Sequence, residues 1–94
     1  MYTWDVQKAL SNFVKHGVSF EEATTIFEDT KALHGEDIGH SVSEPRFFVV
    51  GRSGAGRTLL VIYTVRKLSN GQEAIRIISA RQASRKERKA YSGQ

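Results

Sequence analysis

Three apolar, β-branched runs separated by glycine-rich turns constrain this chain most: Arg46–Gly51, Thr58–Arg66 and Ala74–Arg81. The turns at Ser53–Gly56 and Ser69–Gly71 carry the small residues that reverse a chain tightly, so the spacing predicts an antiparallel meander. Upstream the period changes. Tyr2–Trp4 can form a short strand before Asp5, a good helix N-cap. Val6, Ala9, Leu10, Phe13 and Val14 then fall at i, i+3, i+4, i+7 and i+8, which predicts a helix with these residues on its buried face. Gln7, Lys8, Ser11, Asn12 and Lys15 take the wet side. Gly17 ends this helix, with His16 serving its last turn, where a cation is favoured.

Ser19 and Glu22 have capping-box spacing and open a second helix, with Phe20, Ala23 and Phe27 along one side. The two helices therefore form a hairpin. Lys31–Glu44 is polar and reads as a loop with room for a short edge strand. After the meander, Ser84 and Glu87 form another capping box for a last helix to about Tyr91. The expected fold class is α+β, in the order β-α-α-β-β-β-α, with residues 1–94 as a single domain.

Charge divides the chain. Residues 44–94 hold eleven Lys/Arg against three acids, a net of +8, whereas residues 1–43 hold three against seven, a net of −4. Such segregation points to a cationic face for a polyanion, nucleic acid first. The absence of cysteine excludes disulfides and thiolate metal sites. No apolar run approaches the roughly 20 residues of a membrane span, and MYTWDVQKAL is not patterned as a signal peptide. A cytoplasmic protein that does not enter a membrane is the expectation.

The meander also orders the arginines. Arg57 starts the second strand and Arg81 ends the third, so both belong to one end, with Arg52 beside them. The helix carrying Arg85, Lys86, Arg88 and Lys89 leaves from there. Arg66, Arg46 and Arg76 belong to the other end, roughly 25 Å away for an eight-residue hairpin. That span fits several nucleotides rather than one phosphate.

Other signals are weaker. Gly51–Thr58, GRSGAGRT, nearly matches a phosphate-binding loop with Arg57 for lysine, but that loop must lead into a helix, and Leu59–Tyr63 is strand. It reads as a hairpin turn. His34, Glu36, Asp37 and His40 are all potential metal ligands, yet their spacing matches no helical ligand pattern, and no metal or other cofactor is expected. His40 is either a general acid or base, with an ordinary pKa suited to that role, or a solvated or capping histidine. Trp4, Phe13, Phe20 and Phe27 read as packing residues. Tyr91 can pack on the sheet, stack on a base or offer its hydroxyl.

The ordered motifs WD, KHGVSFEEA at Lys15–Ala23, Phe27 and Asp29, His40-S-x-x-E-x-Arg46, Gly51-R-S-x-x-G-Arg57, Thr64-x-Arg66 and RIISAR at Arg76–Arg81, followed by Glu87 and Tyr91, resemble the BrnT toxin family of BrnT/BrnA type II toxin–antitoxin modules. The likeness covers nearly the whole chain, departing at the long turn Lys67–Ala74. It implies a RelE-like ribonuclease fold and an RNA-cleaving toxin that suppresses translation. It also implies a ribbon-helix-helix antitoxin of the BrnA type, whose complex with the toxin binds operator DNA. Arg66 and Arg81 become the leading active-site candidates by that resemblance, with His40, Glu44, Arg57 and Arg76 behind them. Arg46, Arg57, Arg76, Arg85 and Tyr91 are the expected RNA-binding set.

The chemistry suits that implication. RNA carries its own nucleophile, the 2′-hydroxyl, so cleavage without metal needs a base, cations for the phosphate and a proton for the leaving 5′-oxygen. Arginine's planar fork answers the second need, and His40 or Glu44 the first. One tension remains: Arg66 and Arg81 should not reach a single phosphate unless a bulge bends the hairpin. The rival expectation is a basic module that binds nucleic acid, or docks an acidic partner, without cleaving anything.

Overall fold

Asp5, Gly17 and Ser19 set the helical hairpin. In the computed structural model, which describes residues 1–40 and 44–93 (only the backbone of His40), the Asp5 carboxylate accepts from the backbone N–H groups of Gln7 and Lys8 at 2.9 and 3.1 Å. This starts helix α1, Val6–His16, and Gly17 ends it in the left-handed region at φ 69°. Ser19 Oγ accepts from Glu22 N at 3.0 Å and opens helix α2, Phe20–Thr25, which tightens into a 3₁₀ turn at Ile26–Glu28. Ser84 and Glu87 make the reciprocal capping box that starts helix α3, Arg85–Ser92.

The strands are β1 (Tyr2–Thr3), β2 (Leu33–Glu36), β3 (Phe47–Arg52), β4 (Thr58–Lys67) and β5 (Glu73–Gln82). They form one sheet in the order β1-β5-β4-β3-β2. The expected meander is its centre, β3-β4-β5, and the α+β class holds. Two edges extend it. β1 pairs parallel with β5, and β2, out of the polar segment, pairs antiparallel with β3. The sheet is therefore mixed and five-stranded.

The core lies between α2 and one sheet face: Val18, Phe20, Ala23 and Ile26 meet Val49, Leu59, Val61, Tyr63, Ile77 and Ala80. Burial of each large aliphatic or aromatic side chain here contributes about 1.5–3 kcal/mol.

The expected buried face of α1 is the main correction. Val6, Leu10, Phe13 and Val14 are 65, 59, 54 and 88% exposed, whereas Asn12, expected on the wet side, is buried. The Asn12 amide explains the rotation. Its Nδ2 donates to Ala80 O (2.8 Å) and Val18 O (3.1 Å), and its Oδ1 accepts from Ala80 N (3.1 Å). β1 pairs with β5 only at Ile75 and Arg76, so Ala80 has no strand on that side. Satisfying those buried backbone groups outweighs burying the apolar stripe, which is turned about a third of a turn from the sheet.

A basic cleft on the open face of the sheet

The helical hairpin covers one face of the sheet and leaves the other free of helices α1 and α2. Paired residues share a face, as do alternate residues along a strand. With Leu59, Val61 and Tyr63 facing the core, Leu60, Ile62, Thr64 and Arg66 of β4 take the open face, where Thr64 alone of the four is buried, its hydroxyl donating to Pro45 O at 2.7 Å. Leu33, Phe48 and Val50 join them through the β2–β3–β4 register. Gly35 allows Phe48 to lie flat here, since a Cβ at that position would collide with the Phe48 ring.

On β5 a bulge decides the outcome. Ile62 pairs with Ser79 and Tyr63 with Ile77, so Ile78 is the extra residue. Arg76 and Arg81 are five apart and would fall on opposite faces of a regular strand. The bulge puts both on the open one, Arg81 beside Leu60 and Arg76 beside Thr64.

The result is a cleft of about 920 Å³ with an apolar floor of Val50, Leu60, Ile62 and Ile78, flanked by Arg46, Arg81 and Lys86 with Asp37 and Glu87. α3 forms its wall. Tyr91 OH donates to Asp29 Oδ2 at 2.5 Å and Arg88 to Ala83 O at 2.7 Å, which pin this helix at both ends. The Tyr91 hydroxyl, then the Arg52 amide, hold the Asp29 carboxyl below its usual range.

Arg81 meets Glu87 two-pronged, Nη1 to Oε1 at 2.8 Å and Nη2 to Oε2 at 2.9 Å. Glu87 also accepts from Ser84 N at 2.8 Å. The Arg81 guanidinium, ahead of the opposing effect of burial, lowers the Glu87 carboxyl to about 2. Further along the same face Arg66 Nη2 donates to Glu44 Oε1 at 3.1 Å, with both side chains well solvated.

The sequence candidates thus separate. Arg46, Arg66, Arg76 and Arg81 share the open face, and Arg46 and Arg81 border the cleft. Arg66 lies six residues along β4 from the partner of Arg81, about 20 Å at strand spacing. The bulge stands between Arg76 and Arg81, but the two ends of the hairpin remain apart. Arg57 is on the other face, where Nε and Nη2 both donate to Glu22 (Nε at 3.0 Å) and Nη2 also reaches Gly17 O at 3.1 Å. Arg85 is exposed at the start of α3, and the Tyr91 hydroxyl is occupied by Asp29. The His40 side chain lies outside the described residues. His34 faces the aromatic side, its Nδ1 3.1 Å from Tyr63 OH. Among the described residues no three His, Asp or Glu side chains gather as metal ligands would, and no helix is long and apolar enough to cross a membrane.

Sequence reasoning missed Glu87 as part of the site. Its signal was the capping box, which announces a carboxylate at the helix start but not its second partner six residues upstream.

Comparison with known proteins identifies the family. The family model described as the ribonuclease toxin BrnT of type II toxin–antitoxin systems matches residues 4–87. Among solved structures, the ribonuclease toxin BrnT of Brucella abortus is similar to this chain with a TM-score of 0.65 and 25% identity, covering 90% of this chain and 99% of that one. No curated protein matches it.

Proposed function

Because this chain belongs to the family of BrnT ribonuclease toxins of type II toxin–antitoxin systems, we propose that it cleaves RNA on the open face of its sheet, without a metal, and thereby inhibits translation. The observation that carries this reading is the bulge-built alignment of Arg76 and Arg81 with Arg46 and Arg66 on one face. A strand of RNA laid along that face meets cations over several nucleotides, and the apolar floor supports its bases or riboses.

In this reading Arg81 and Arg66 are the catalytic arginines, one at the scissile phosphate and the other holding the chain beside it. Charge growing on the phosphate oxygens is met by a fixed guanidinium rather than by reorienting water. Glu44, which accepts from Arg66, or His40 takes the 2′-hydroxyl proton, and the leaving 5′-oxygen takes a proton from solvent water. Arg46, Arg76 and Arg85 contribute sequence-independent attraction.

The partner follows from the family: a toxin of this class is held by an antitoxin. We assign to it a ribbon-helix-helix protein of the BrnA type, with an acidic segment that opposes the basic face. Operator DNA is then bound through the complex. A cytoplasmic location goes with this role.

The test is incubation of purified protein with end-labelled RNA in EDTA. Products with 2′,3′-cyclic phosphate ends support the reading, and Arg66→Ala or Arg81→Ala should abolish them in a folded protein. Arg81→Lys keeps the charge but loses the fork, so cleavage should fall by about 10²–10³ while RNA binding falls much less. RNA bound but never cut would instead mark a binding module.

A further inference from the structure

We infer that Glu87 is a positioning residue for RNA cleavage: it grips the outer end of the Arg81 guanidinium and leaves the Nε/Nη2 edge of that group to take two phosphate oxygens. The inference rests on the reading of Arg81 as a phosphate-binding catalytic residue.

Arginine has five N–H groups in a fixed plane. In Arg81, Nη1 spends both of its hydrogens, on Glu87 Oε1 at 2.8 Å and on the Gln82 carbonyl at 3.2 Å. Nη2 gives one to Glu87 Oε2 at 2.9 Å. The second Nη2 hydrogen and the Nε hydrogen meet no partner among the described residues. These two lie side by side, parallel, along one edge of the plane, the arrangement that matches two oxygens of a phosphate. The side chain is 39% exposed, so a ligand can reach it.

Arg57 supplies the contrast. It spends that same Nε/Nη2 edge on Glu22 and its other Nη2 hydrogen on Gly17 O, so it has no fork left for phosphate. Both arginines are paired with a glutamate, yet only Arg81 keeps a fork free, and of the two only Arg81 borders the cleft.

Glu87 is well mounted for the task. It sits in the first turn of α3, its carboxylate is fixed by Ser84 N at 2.8 Å, and the helix is tied down at Tyr91 by Asp29. Two parallel bonds fix the orientation of the guanidinium plane as well as its place. A guanidinium held this way needs no reorganisation when charge develops on the phosphate. The carboxylate also repels phosphate, so it acts against ground-state binding while serving the transition state.

This predicts a split that a purely structural glutamate would not give. Glu87→Gln loses one of the two acceptors and the charge. Its single-turnover cleavage rate should fall about 10- to 100-fold, less than the loss expected from removing a donor outright. Its affinity for a non-cleavable 2′-O-methyl RNA should stay unchanged or tighten. Ser84→Ala removes the hydroxyl half of the cap but leaves the Arg81–Glu87 pair, so it should lower thermal stability and keep the cleavage rate.

Cleavage at the wild-type rate by Glu87→Gln, with Arg81→Ala inactive, overturns the inference and spares the functional reading. Parallel loss of cleavage and RNA binding, or equal loss of cleavage in Ser84→Ala, also overturns it by reducing Glu87 to a cap. A wild-type protein that leaves RNA intact, or an Arg81→Ala variant that cuts at full rate, sinks the functional reading and this inference together.

Discussion

The side-chain amide of Asn12 pairs with the backbone of Ala80 as a neighbouring strand would, Nδ2 2.8 Å from the carbonyl and Oδ1 3.1 Å from the amide nitrogen. A helix is thereby docked on the stretch of β5 that β1 leaves unpaired. The same amide closes onto Val18 O, so one residue ties α1, the inter-helix link and the sheet.

Asn12→Ala should destabilise the protein by about 2–4 kcal/mol, because it strands buried backbone donors and acceptors that each cost about 1–3 kcal/mol when unsatisfied. Asn12→Asp should be worse at neutral pH, since its carboxylate would face two carbonyl oxygens. Urea unfolding measures both, and a loss below about 0.5 kcal/mol for Asn12→Ala would show that the docking is dispensable.

Phe13→Ala should cost less than about 1 kcal/mol, against roughly 3–5 kcal/mol for a fully buried phenylalanine. Phe13 is 54% exposed on the outward stripe of α1. The same unfolding measurement, read beside Asn12→Ala, ranks the two faces of the helix. A larger loss from Phe13 than from Asn12 would reverse the assignment.

Acid should weaken the fold through Glu87. Its folded carboxyl titrates at about 2 against an ordinary 4.5, so its contribution is complete above pH 4.5 and is lost as pH falls toward about 2. Glu22, lowered first by its bonds to Arg57, works in the same direction. Glu87→Gln should flatten the stability profile across that acid window relative to wild type. An unchanged slope would mean that the Arg81–Glu87 pair does not persist in solution.

Two basic positions should behave oppositely. Arg57→Ala should lower stability by about 1 kcal/mol, a modest figure because its side chain stays 33% exposed, and the folded protein should cleave RNA normally. Lys86→Ala should leave stability and the chemical step alone but weaken RNA binding, with the salt slope reduced by about one if it contacts a phosphate. Titrations at several salt concentrations, paired with single-turnover rates, separate these effects.

Much of the fold was legible because its causes are local. Strand runs, glycine turns and the caps at Asp5, Ser19 and Ser84 depend on residues a few positions apart, and the order of elements followed from them. Periodicity located α1 but could not orient it. Apolar spacing says which residues share a stripe, whereas the facing stripe was chosen by an asparagine and a strand 68 residues away. β2 was announced only as room for an edge strand, because its stability comes from hydrogen bonds to β3 rather than from its own polar side chains.

The site divides along the same line. By itself the sequence determined that cations gather in the second half of the chain and that Arg66, Arg76 and Arg81 end or punctuate strands. Only the tertiary structure decided which of them share a face, through one extra residue at Ile78 that reverses the alternation of β5. It also decided how each arginine's donors are spent: Glu22 closes the fork of Arg57, while Glu87 holds Arg81 from its other end. The physical reason is that residue type fixes charge and donor number, but the direction of a planar guanidinium is set by the carboxylates that other elements bring to it.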